Sequence, residues 1–493
     1  MSVPNVAIEK IDFQTGSVAP SPVGVLAIIA PALDGPENTP TSYTRDDLAS
    51  DDFGPSPLVE DGSYALAISQ NPVVLVRPNA SQPAAYSAID TSGMVGTTTP
   101  TAGTTPPADR YSVTVTFLDS GTVGASGLRW TIDLGGGPSA PMLMPVGSAP
   151  ITLTAPDFPG GGSPGVSVVL SAGTVGAGGF LTFETTPPAT VDADLAASLE
   201  ALRVSTLDWE ALLIEQDIGT GTVAMVDTWL SSLESVGKFK MAFLNTRLKA
   251  ASESESAFAT AMQTLVSGST PTIRASVGTD GGDVTSTLTG VTAARPTSLI
   301  EAARCMAIPL GVEPAYVNLG PLGGVSIVDL SGQPSFHNEQ NYPNLDQLLL
   351  TTLRSVPGKT GAFITNGRIF STVGSDYVLV PHVRTMNRAC ELAYAILTGQ
   401  LSRGVGKKPK DPKTGKVFIL ESDALAIEGL VNETIRPALA GQVQDVSFAL
   451  SRDDDIGANS GAILTGAIAI VSLAYVKGFR VLAGFSRSIA VAA

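Results

Sequence analysis

A change of hydrophobic period near residue 190 constrains this chain more than any other feature. Between about 81 and 190, short runs such as RYSVTVTFLD, LRWTIDL, APITLTA, GVSVVLSA and GFLTFETT alternate apolar and polar side chains. They are separated by Gly/Ser/Thr/Pro tracts, and a period of two broken by turn signals predicts an all-β module. From Asp192 the period becomes 3.6. DADLAASLEALR, TVAMVDTWLSSLESV, SESESAFATAMQTLV and LIEAARCMAIPLG read as amphipathic helices, with strand-like WEALLI, KFKMAFLN and TIRASVG between them. Alternating strands and helices predict βαβ units and hence parallel pairing. NLDQLLLTTLRSV reads as a further helix, followed by a strand in GAFITNG.

The same texture precedes the β module. An apolar run at 23–31, a DGPEN turn, a short helix in TSYTRDDLASDDFGP and a strand in PVVLVRP belong with the later βαβ units. Residues 81–190 therefore read as an insertion. The flexible tracts TSGMVGTTTPTAGTTPPA and PDFPGGGSPG place it on the outside. The expected fold is a multidomain α/β (α+β) chain: a mixed βαβ core at 23–80 and 191–375, an outward-facing β domain at 81–190, and an α+β domain at 376–485. Two ends remain. Residues 1–22 hold one alternating patch, Val6, Ile8, Ile11 and Phe13, without a hairpin partner nearby. The C-terminal end has apolar runs at 462–476 and 479–485, read as strands, then the tail SRSIAVAA at 486–493. Single strands at both ends predict arms that complete a neighbour's sheet, with Ile489 and Val491 as the counterparts of the N-terminal patch.

Composition narrows the function. Hydrophobic residues make up 43% and charged residues only 15% of 493 residues, a low charge density for a lone monomer. The formal charge of −16 opposes nucleic-acid binding, which needs Lys and Arg to displace counterions. Pro4, Glu9, Lys10 and Asp12 occupy the place of a signal peptide's basic and apolar regions, so synthesis in the cytoplasm is expected. The most apolar run, 463–476, is shorter than the ~18 residues of a membrane span, and no membrane insertion is expected.

Chemistry-bearing candidates are few. Gly219-Thr220-Gly221-Thr222-Val223-Ala224 fits a G-x-G-x-x-A dinucleotide turn between a strand and a helix, but no acidic residue follows at the end of the next strand to hold a ribose. His337 and His382 stand apart and read as packed or solvated rings. Asp453, Asp454 and Asp455 read as a turn, so neither metal nor cofactor is expected. Lys407, Lys408, Lys410, Lys413 and Lys416 crowd one Gly/Pro loop of an otherwise acidic chain. They read either as a hydrated loop or as a contact with an acidic partner surface. Cys305 and Cys390 fall in predicted helices and read as inert buried thiols, or as a cross-link between neighbouring subunits.

Taken in order, several weak motifs resemble the contractile tail sheath proteins of bacteriophages and related injection machines. They are PVGVLAIIAPALDGPENTPTSYTRDDLASDDFG with PVVLVRP; FITNGRIFSTVGSDYVLVPHVRTMNRACELAYAIL, with its Asn-Gly-Arg turn and Ser-Asp-Tyr followed by a strand and an Arg-bearing helix; and the closing helix LAIEGLVNETIRPALAG with strand QVQDVSFALS, an acidic turn and two more strands. The resemblance implies a non-enzymatic structural polymer of the virion tail, assembled in the host cytoplasm. Subunits would form stacked, probable hexameric rings around a tail tube protein, meeting baseplate and tail terminator proteins at the ends and exchanging terminal arms. Contraction of the sheath would drive the tube through the host envelope. A sheath of a bacteriocin or secretion-type device remains the alternative within the class. A nucleotide-binding α/β enzyme using the 219–224 turn is the alternative outside it.

Overall fold

The computed structural model describes residues 23–158, 162–328, 335–457 and 463–477. The sequence-predicted arm residues Val6, Ile8, Ile11, Phe13, Ile489 and Val491, and the run at 479–485, lie outside them.

A six-stranded sheet forms the centre. Its strands are β1 (Leu26–Ile29), β2 (Thr41–Tyr43), β3 (Val73–Val76), β4 (Ala211–Asp217), β5 (Met241–Asn245) and β6 (Ala275–Gly278), in the order β6-β5-β4-β1-β3-β2. All pairs are parallel except β2 with β3; Leu26 lies opposite both Ala211 and Val73. Parallel sheets need cover on both faces, and β1 and β3 are buried at every position. Alternate residues go to opposite faces. Ala27, Ile29, Leu212 and Leu244 meet α3 (Asp192–Val204), α4 (Thr222–Glu234) and α5 (Glu255–Gly268). Leu26, Ile28, Leu213 and Phe243 meet α1 (Asp46–Phe53), α2 (Pro57–Ser69) and α6 (Thr297–Met306). Local chemistry sets these helices: Ser56 caps α2 by accepting the N–H of Val59, Pro57 takes the first turn, and Gln70 closes the helix at φ 56°.

Residues between β3 and α3 carry the predicted β texture. They form short antiparallel strands, among them Ser112–Phe117, Arg129–Asp133 and Phe180–Thr186, around a hydrophobic cluster of their own. One core residue joins that cluster: Val291, in the hairpin of β7 (Gly281–Thr285) and β8 (Thr292–Pro296). Beyond the core come α7 (Val380–Thr398), α8 (Glu421–Ala438), β9 (Asp445–Leu450) and β10 (Gly466–Val471), with a shared cluster that includes Leu392, Ile427, Val431 and Phe448.

Three expectations need correction. NLDQLLLTTLRSV is not a helix: a single 3₁₀ turn at Asp346–Leu348 ends where Leu349 turns left-handed at φ 60°. The chain then extends along the edge of β6, Thr351 donating to Val277 and accepting from Thr279. Backbone pairing with the core sheet outweighs the helical propensity of the Leu run. The strand expected before α7 is only one bridge, Arg368 with Leu379, because Pro381 at the start of the helix already fixes a helical first turn. Finally, the apolar run at 463–476 is not a buried strand. Only Gly466–Val471 is strand, and Ile463 and Val476 are 61% and 69% exposed.

Candidate assembly interface

The C-terminal sheet has two strands. β9 and β10 run antiparallel, from Asp445 opposite Val471 to Leu450 opposite Gly466. Ser451 donates to the carbonyl of Thr465, so odd-numbered residues of β9 bond across the ladder and even-numbered ones point outward. That outer edge of β9 is sealed by side chains. Glu428 accepts the N–H of Leu450 at 2.7 Å; Asn432 accepts the N–H of Phe448 at 2.8 Å and donates to its carbonyl at 2.9 Å; Arg436 donates to the carbonyl of Val446 at 3.1 Å. The three residues stand four apart on α8 and their targets two apart on β9. Four helical residues rise ~6 Å and two strand residues ~6.8 Å, so the stripe and the edge stay in step. Arg452 forks between Glu421 and Glu428 and holds the first of them.

The other edge is different. The outward N–H and C=O groups of Gly466, Ile468 and Ile470 have no partner among the described residues. Nor does GAIAIV carry the charge or proline with which sheet edges are usually blunted. One edge closed by a helix and the other left bare is a template for one further strand from one side.

Both ends of the described chain emerge near one loop. Val23 shares a small cavity with Leu310 and Arg384, and Glu210 binds both the N–H of Gly24 and the guanidinium of Arg384. At the other end Tyr475 donates to the carbonyl of Gly311 at 2.8 Å, and Lys477 stands 3.4 Å from Glu313.

The predicted lysines come together. Lys407, Lys408, Lys410, Lys413 and Lys416 occupy a projecting hairpin closed by Lys408 N–H to Phe418 and Asp411 N–H to Lys416; Lys408 faces Glu421 at 3.9 Å and the other four are exposed. Asp455 supports this loop by accepting the N–H of Val417, while Asp454 accepts from Thr465. Those contacts explain the acidic turn. Among the described residues no cluster of acidic, His or Cys side chains is arranged to hold a metal. The cysteines are not brought together: Cys305 is 0% exposed in the core beneath α6, where burial pushes its thiol well up, and burial likewise pushes Cys390 to about 11. No described helix is long and apolar enough to cross a membrane.

At the 219–224 turn, Thr222 accepts the N–H of Gly219 and donates to Asp192 at 2.8 Å. A carboxylate thus stands at the start of α4, where a pyrophosphate would need to sit.

His337 is the residue whose surroundings the sequence did not reveal. It is 2% exposed, with Nδ1 2.7 Å from Glu255 and Nε2 2.8 Å from Glu339. Glu339 also accepts the N–H groups of Asn344 and Asp346, and Lys249 lies 3.3 Å from Glu255. Burial opposes the charged ring, but the hydrogen bonds to Glu339 and Glu255 outweigh it and hold His337 above its ordinary 6.5. A raised folded-state value stabilises fully below the unfolded one and is lost as pH rises through it. The melting-temperature advantage of the native chain over His337→Gln is therefore expected to shrink from about pH 6.5 upward. Thermal melts of both proteins between pH 6 and 9 check this, and a pH-independent difference would refute it.

No protein-family model matches the chain, and no curated protein matches it in sequence. Solved structures do. A sheath tail protein from Desulfitobacterium hafniense aligns over 94% of this chain and 100% of its own at 11% identity and TM-score 0.47. A chain of the anti-feeding prophage baseplate in its contracted state aligns over 98% and 99% at 12% identity and TM-score 0.47. A sheath complex of an extracellular contractile injection system, also contracted, covers 63% and 77% at 12% identity and TM-score 0.42. The chain is thus similar to sheath tail proteins and to chains of contractile injection systems.

Proposed function

We propose that the chain is a structural, non-enzymatic subunit of a contractile sheath, polymerising as stacked rings around a tail tube. The carrying observation is the bare edge of β10 beside a β9 edge sealed by Glu428, Asn432 and Arg436. In this reading the neighbours' arms, through Val6, Ile8, Ile11 and Phe13 and through Ile489 and Val491, complete the sheet. Main-chain bonds supply affinity and alternating side chains supply register. The lysine hairpin at 407–416 meets an acidic surface of the tube or of a neighbour. The inserted β module faces outward, and the assembly forms in the host cytoplasm between baseplate and terminator proteins. Rings of six and contraction that drives the tube through an envelope complete the proposal, for a phage tail or for an injection device built alike.

Negative-stain microscopy of the purified chain tests it. Tubes or striated polysheaths are expected, and removal of residues 1–18 or 487–493 is expected to leave folded subunits that do not polymerise. Discrete small oligomers that bind a nucleotide would refute the reading, and unchanged polymerisation of both truncations would refute the arms.

A further inference from the structure

A cavity of about 750 Å³ opens beside the exit of the C-terminal segment, between the loop at 311–318, the turn at 365–366 and the chain at 473–477. Its size falls among pockets that hold drug-sized ligands, roughly 300–1,000 Å³. One wall is polar and unsatisfied: Glu313 Oε2, Arg354 Nε, Thr365 Oγ1 and Asn366 Oδ1 are each buried with no hydrogen-bond partner among the described residues. Glu313 is only 5% exposed, and its other oxygen is engaged by the N–H of Gly367 at 2.9 Å. Leaving such groups unpaired costs about 1–3 kcal/mol each, so four in one cavity mark a place for an occupant. The facing wall is apolar, with Val312, Ala315 and Val317.

The wall calls for a mixture of donors and acceptors. Two of the four atoms only accept, one only donates, and the hydroxyl does either. An extended peptide backbone offers that alternation of N–H and C=O. Its side chains alternate as well, so one apolar wall selects a segment with apolar residues two apart. The chain itself provides one at the cavity mouth: Lys477 lines the cavity and Gly478-Phe479-Arg480-Val481-Leu482 follows it directly. We propose that this cavity is a clamp for residues 478–482 of the same chain. Phe479 and Val481 lie on the Val312–Val317 wall, Arg480 points to the mouth, and the backbone satisfies Glu313, Arg354, Thr365 and Asn366. The clamp fixes the direction in which residues 483–493 leave the body, and it ties any pull on them to the core rather than to the two-stranded sheet.

The test uses the full chain carrying Phe479→p-benzoylphenylalanine, irradiated at a dilution where it is monomeric. A cross-link within one chain, mapped by mass spectrometry to 312–317 or 365–366, is expected. In the full chain with Phe479→Asp, amide exchange at 312–317 and 365–367 is expected to rise at least about tenfold. A cross-link between two chains, a cross-link elsewhere in the body, or exchange unchanged by Phe479→Asp would overturn the clamp. Tube formation, scored by microscopy on the same preparations, reports separately on the sheath reading.

Discussion

Replacing Ile468 by proline is expected to abolish polymerisation while leaving a folded subunit. The N–H of Ile468 points away from β9, since the ladder bonds of this pair fall on the odd-numbered residues. Proline therefore removes no hydrogen bond within the subunit, and sheets tolerate it where the lost N–H faces outward. It does remove the central donor of the bare edge and puts a ring where an incoming strand must pair. Ile468 is half-buried against the cluster of Phe448 and Val431, so the packing lost costs on the order of 1–2 kcal/mol, too little to unfold a domain of this size. Ala467→Pro is the control. Its N–H belongs to the ladder opposite Ala449, so it should disrupt the hairpin itself. Circular dichroism and sedimentation velocity separate the outcomes: Ile468→Pro should be folded and non-assembling. Tubes of native appearance from that variant would show that the β10 edge plays no part in assembly.

The sequence was most informative where burial is two-sided. VLAII, PVVLV and MAFL are near-continuous apolar runs because helices cover both faces of their sheet, and the helices between them keep a 3.6 period for the same reason. It misled where a distant backbone decided the local conformation. Leu345, Leu348, Leu349 and Leu350 have the composition of a helix, yet Thr351 is drawn onto β6. The assembly edge was half legible: strand and helix were readable, but not the match between Glu428, Asn432 and Arg436 at a spacing of four and Leu450, Phe448 and Val446 at a spacing of two. That double spacing, polar residues at i, i+4 and i+8 on a helix just before an alternating strand, is a signal open to inspection. His337 offered none, because Glu255 lies 82 residues away along the chain.

Arg295→Ala is expected to cost about 3–5 kcal/mol, the largest loss from a single substitution away from the assembly edge. Arg295, on β8, is buried and binds Asp109 of the inserted module with both terminal nitrogens, through Nη1 at 3.1 Å and through Nη2. Three further acids crowd the same place: Glu60 and Asp61 on α2 and Glu215 on β4. Burial pushes all three up, and Arg295 opposes that shift in each. Both carboxylate oxygens of Asp61 and Oε2 of Glu215 have no hydrogen-bond partner, so the single guanidinium is the principal counter-charge of the cluster. Without it, the buried acids must take up protons or draw in water, and the inserted module loses its charged tie to the core. Folded-state values raised further in the variant mean more protons bound on folding, so its deficit should narrow as pH falls. The double replacement Arg295→Met with Asp109→Leu removes both charges of the contact and should cost much less than the single change. Urea unfolding of the three proteins at pH 5 and pH 8 decides the matter. A loss below about 1 kcal/mol for Arg295→Ala, or a double variant no better than the single one, would mean that apolar packing around Val291 rather than this charge cluster fastens the module to the core.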